Sequence, residues 1–149
     1  MTQKPFQSDH TIAVCIDGRS VAWASGSEKK FDFEKIRSVV DYFESVPAPI
    51  QILLFIPSWI DDEDFRAEMK IRTELYLVTG INGHPSRDDH YALMEMIRLD
   101  GFLVTNDKKM HEHIHNSLIP ETYIKDRMIS FKFKKGKFKP NLPQNWIER

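Results

Sequence analysis

The sequence predicts a doubly wound α/β fold around a mostly parallel sheet, and three observations carry that prediction. First, the segment 12–18, IAVCIDG, is apolar at every position before its aspartate, and 50–56, IQILLFI, is apolar apart from Gln51. Strands without a polar face are covered on both faces, as strands of a parallel sheet are. Second, segments of helical periodicity separate these runs. Third, Asp17 ends the first strand-like run and Asp107 the fourth, at the carboxyl ends where open α/β sheets bind ligands.

In chain order, Ile12, Val14 and Ile16 favour a first strand, and Gly18 lets the chain turn sharply and approach whatever Asp17 binds. Residues 19–30, rich in Ser and Gly, read as a loop. Asp32 can cap a helix running to about Glu44, with Phe33, Ile36, Val39, Val40 and Phe43 on one face, and Pro47 and Pro49 stop it. A second strand over 50–56 ends at Pro57. A helix over 61–74 opens on acids, which suit its positive N-terminus or simply a solvated first turn. A third strand is expected over 75–79, LYLVT, followed by the loop GINGHPS. Arg87–Arg98 reads as a helix with Asp88 and Asp89 in its first turn, then come a fourth strand, FLVT, and Asn106-Asp107. A short helix over 108–115 and another turn over 120–127 precede the alternating strand Met128–Lys134, which Lys135-Gly136 turns into a partner at 137–139.

The chain has 149 residues and a formal net charge of −1, so its overall field does not attract nucleic acid and any such role needs a local basic patch. Its single cysteine, Cys15, lies inside the first strand and reads as core, which excludes an intrachain disulfide and a cysteine-rich zinc site. No apolar run reaches membrane-spanning length, and MTQKPFQSDH lacks a signal peptide's apolar region. The expectation is a lead-in over 1–11, one domain over 12–149, and a reducing location: cytoplasm, with nucleus or RNA granule as the other settings.

The chemistry lies in where the acids fall. Asp17, Asp88, Asp89 and Asp107 come to one edge if the strands run parallel. Carboxylates sharing one crevice repel each other unless a cation neutralises them. Hard oxygen donors suit Mg²⁺ or Mn²⁺, and such an ion can activate water against a phosphodiester. Each acid also has a local reading: Asp88 as a helix cap, Asp89 as a first-turn acid, Asp107 as the cap of the next helix.

The segments IDGRSVAWASG, LLFIPSW, SRDDHYALMEM, GFLVTNDK and ISFKFKKGKFKP resemble, in order, the PIN-like (NYN) ribonuclease domain of the Regnase/MCPIP, or Zc3h12a-type, family over about residues 12–143. The resemblance implies a PIN-like (Rossmannoid) fold with a C-terminal β-hairpin and a metal-dependent endoribonuclease that cuts single-stranded or loop RNA in RNA decay or silencing. It places catalytic acids at Asp17, Asp89 and Asp107, with Asp88 joining them around Mg²⁺ or Mn²⁺, and supporting roles at Ser20, Asn106 and His111. Two positions depart from the family pattern: Ser20 stands where an asparagine is usual, and His111 where a further acid is frequent. These departures leave a second reading open, a domain of reduced catalysis that binds RNA or scaffolds other proteins.

Arg19, Arg87, Lys108 and Lys109 flank the acids in sequence and can meet phosphates, and Trp59 can stack a base; the plain alternatives are solvated charges and a packed Trp. The stretch Lys132–Lys139 fits RNA binding or an edge kept soluble by lysines. The partner is RNA, with a second copy or another protein subunit as the way to enlarge its surface, and no membrane.

Overall fold

A computed structural model of the chain describes residues 11–23, 31–79, 88–107 and 118–146. Among them, six strands form one sheet in the order β3-β2-β1-β4-β5-β6. Strand β1 (Ile12–Asp17) lies at its centre, parallel to β2 (Ile50–Pro57) on one side and β4 (Phe102–Val104) on the other. Strand β3 (Glu74–Val78) continues parallel beyond β2, and β5 (Met128–Lys134) beyond β4. Only β6 (Lys137–Asn141) runs antiparallel, paired with β5 at the far edge.

This order has a functional consequence. From β1 the chain moves outward to β2 and β3, then crosses back to place β4 on the other side of β1. The connections leaving β1 and β4 therefore part in opposite directions. The gap at their carboxyl ends is the topological switch point, where open α/β sheets form binding crevices.

Both faces of the sheet are covered, as the apolar strands require. Ile12, Val14 and Ile16 of β1 pack with α1 (Gly18–Ala22), α2 (Phe33–Glu44) and α3 (Glu63–Arg72), through Val21, Ile36, Phe43, Phe65 and Met69. Ala13 and Cys15 point the other way, toward Ala92, Leu93 and Met96 of α4 (Asp88–Leu99) and Ile124 of α5 (Glu121–Lys125). Burial pushes the Cys15 thiol up to about 12, so it is an inert core group. The period of two carries Asp17 onto the α4 side.

Local signals explain the element ends. Asp32 accepts from the Glu34 N–H at 3.0 Å and Asp62 from the Phe65 N–H at 2.9 Å, each capping its helix. Lys135 (φ 53°) and Gly136 (φ 77°) both take positive φ, as a two-residue I′ hairpin demands. Four expectations shift. Residues 18–22 form a short helix rather than the start of a loop, because Asp17 caps it. The segment expected over 61–74 is helical only over Glu63–Arg72, since Asp62 is its cap and Thr73 its C-terminal cap. Pro57 is the last residue of β2 rather than its stop, and β6 runs on to Asn141. The lead-in before residue 11, the loop GINGHPS and the helix expected over 108–115 lie outside the described residues.

Candidate active site

Asp17 stands at the end of β1, beside the switch point, and is 3 % exposed. Thr105, fully buried just past β4, donates its hydroxyl to Asp17 Oδ2 at 2.8 Å. The Ser20 N–H donates to Asp17 Oδ1 at 3.4 Å. Thr105 also accepts from the Asp107 N–H at 3.1 Å, and Ser20 Oγ accepts from the Asn106 N–H at 2.9 Å. The ends of β1 and β4 are thus tied together around one buried carboxylate.

That carboxylate is not at ease. Burial pushes Asp17 up to about 7, and the charges of Asp88 and Asp89 add to the rise, against the hydrogen bonds from Thr105 and Ser20. Asp88 opens α4 and is 1 % exposed; Arg19 Nη2 donates to its Oδ1 at 2.9 Å. Asp89 accepts from the His90 N–H at 2.7 Å. The charges of Asp88 and Asp89 therefore reach Asp17, and Asp107 is tied to the same place through its backbone N–H. Among the described residues, no three acid, histidine or cysteine side chains close into a group able to hold a metal ion.

Gly18 makes this approach possible. A Cβ there would stand 2.7 Å from the Phe55 carbonyl oxygen and 2.6 Å from Ile56 Cγ2, so only glycine lets α1 leave β1 against β2. Asn106 has a scaffolding place: its side chain donates to the Phe131 carbonyl at 3.0 Å and accepts from the Phe131 N–H at 2.9 Å, prolonging the β4–β5 ladder. Ser20 meets Asp17 with its backbone, a contact that does not depend on which side chain stands there.

Of the expected RNA contacts, Arg19 is engaged with Asp88 and lies 6.0 Å from the Trp23 ring. Trp59 is 57 % exposed and stacks on Trp23 at 6.0 Å with an interplanar angle of 24°. Its loop is held by Arg66, which donates to the Ser58 carbonyl at 2.7 Å and the Ile60 carbonyl at 2.8 Å. Arg87, Lys108, Lys109 and His111 fall outside the described residues. Sequence reasoning does not reach Thr105. The signal it carries is a polar residue at the parity of core-facing Leu103, where an apolar one would otherwise pack.

The profile of the Zc3h12a-like ribonuclease NYN domain matches residues 11–146. The chain belongs to this family. Among proteins similar to this NYN domain is the endoribonuclease rege-1 of Caenorhabditis elegans, 27 % identical over 93 % of this chain. The chain spans 24 % of that relative's length. The crystal structure of nuclear proteinaceous RNase P 2 (PRORP2) from A. thaliana superposes with a TM-score of 0.62 at 22 % identity, over 89 % of this chain and 30 % of that one. That likeness bears on the fold, which is the PIN-like arrangement the sequence predicts.

The crevice of this NYN domain fits a hard divalent cation in its chemistry. Its donors are carboxylates, and its central one is buried, destabilised by neighbouring negative charge and oriented by a hydroxyl. A cation beside it would relieve that charge.

Proposed function

We propose that the domain is a metal-dependent endoribonuclease that hydrolyses single-stranded or loop RNA. Asp17, Asp89 and Asp107 are its catalytic acids, and Asp88 joins them in holding Mg²⁺ or Mn²⁺. The observation that carries this reading is a buried Asp17 at the switch point, under the charges of Asp88 and Asp89. When bound, the cation supplies a water of lowered pKa and Lewis acidity toward a phosphoryl oxygen.

The chain's own groups do the rest. Thr105 fixes the orientation of the Asp17 carboxylate, as an outer partner does for a ligand. Ser20 and Asn106 hold the β1 and β4 ends in register. Arg19, Arg87, Lys108 and Lys109 meet phosphates, with Arg19 leaving Asp88 when the cation takes it. The exposed face of Trp59 stacks an unpaired base. RNA decay or silencing in the cytoplasm is the setting we infer.

A second reading has its own support. Asp88 is already neutralised by Arg19, and the described acids do not close into a metal-holding group. Both features suit a domain of reduced catalysis that binds RNA or serves as a protein subunit. Incubating the purified protein with end-labelled single-stranded RNA in Mg²⁺, Mn²⁺ or EDTA separates the two. Water-mediated hydrolysis leaves no 2′,3′-cyclic phosphate and stops in EDTA; no cutting in either metal favours the subunit reading.

A further inference from the structure

The C-terminal hairpin carries a face that folding alone does not account for. Its apolar side is used: Phe131 and Phe138 are buried against α2, where Phe138 meets Tyr42 at 5.4 Å and Phe43 at 6.0 Å. The other side holds Lys132, Lys134, Lys137 and Lys139, all exposed. The register sets Lys132 opposite Lys139 and Lys134 opposite Lys137. Like charges placed directly across a ladder weaken it. Among the described residues no carboxylate forms an ion pair with any of these lysines. A chain of net charge −1 thus concentrates cations on one face, with Lys135 at the turn between them.

The position of this face matters as much as its charge. Strand β5 is parallel to β4, so the hairpin tip lies at the carboxyl edge of the sheet, the edge that holds Asp17 and Asp107. Asn106 is clamped to Phe131, and the next three residues, Lys132–Lys134, run roughly 10 Å beyond that level at ordinary strand rise. Protecting an edge strand needs only a lysine or so. Two facing pairs on one side, beyond the end of the neighbouring strand, exceed that need.

We propose that the lysine face of the β5–β6 hairpin is an arm that binds the phosphate backbone of the RNA strand leaving the acidic crevice. The ligand class follows from the charge pattern: a linear polyanion with repeated charges, met by point cations without base recognition. The inference rests on the ribonuclease reading of the crevice and adds to it a second contact region for the strand. The arm contributes affinity that does not depend on sequence and leaves the chemical step to the acids.

The test is a variant with Lys132, Lys134, Lys137 and Lys139 each changed to Gln, in the full chain. Binding of a fluorescein-labelled single-stranded RNA is followed by anisotropy from low to moderate salt, in EDTA so that nothing is cut. The expected results are affinity at least tenfold weaker at low salt and a salt slope shallower by about 2–3, at roughly 0.7 for each phosphate no longer neutralised. Thermal stability should hold or rise, because the facing lysines no longer repel. Lys132→Gln with Lys139→Gln alone should reduce the slope by about half as much, which guards against a quadruple variant that misfolds. If Asp17-dependent cutting is intact in the parent but affinity and slope are unchanged in both variants, the arm is refuted and the crevice stands. If the parent neither cuts nor binds RNA, the ribonuclease reading fails and the arm falls with it.

Discussion

At the scale of the residue, Asp17 records a conflict between folding and ionisation. Its carboxyl rises from an ordinary value of 3.8 to about 7, so between those values the folded state holds a proton that the unfolded state has released. Stability of the metal-free protein therefore falls as pH rises from about 4 to 7, by up to about 4 kcal/mol from this group, and is not regained above it. Asp17→Asn removes the conflict. In EDTA the variant should match the parent near pH 4 and exceed it increasingly toward pH 8, as read by urea unfolding. A constant difference across that range would mean that Asp17 does not titrate as its burial implies. Arg19 gives a second expectation. Arg19→Gln leaves Asp88 buried without its guanidinium, which should cost about 1–3 kcal/mol in EDTA, discounted for the partial exposure of Arg19. Mn²⁺ should restore most of that stability, and calorimetry should show tighter Mn²⁺ binding than in the parent. Equal Mn²⁺ affinity in both proteins would show that Arg19 does not compete for the site.

At the scale of the element, the crevice is made by how two strands end. Gly18 shows the demand most clearly, since a Cβ there would run into the Phe55 carbonyl and Ile56. Gly18→Ala should destabilise the protein by about 1–3 kcal/mol, the usual scale of overpacking, and weaken metal binding by pushing the β1–α1 junction away from β2. Urea unfolding and Mn²⁺ titration check both, and an unchanged midpoint would contradict the close approach. The long elements are legible in the sequence because their periods are strong: the apolar β1 and β2, the amphipathic α2 capped by Asp32, and the alternating β5 all stand where their patterns predict. The carboxylates are marked too, through their places after strands and at a helix start. The helix over 18–22 is not legible, because Gly18, Arg19 and Ser20 carry no helical period over so short a span. Thr105 is hidden for a different reason: its role depends on the register of β4 against β1, which no local pattern encodes.

At the scale of the whole molecule, the strand order brings separate acids to one edge of the sheet. Asp17, Asp88 and Asp107 are distant in sequence, and the crossover that sets β4 beside β1 brings their elements to one edge. The same order places the lysine hairpin and the Trp23–Trp59 stack at that edge too, so acids, cations and aromatic rings share one end of the sheet. The most direct test of the account is cleavage of a labelled single-stranded RNA by the parent and by Asp17→Asn, each titrated with Mg²⁺ at pH 8. The account predicts metal-dependent cutting by the parent and at least a hundredfold slower cutting by the variant, with the variant folded by circular dichroism. Equal cleavage by the two proteins, or cleavage by the parent that persists in EDTA, would contradict it.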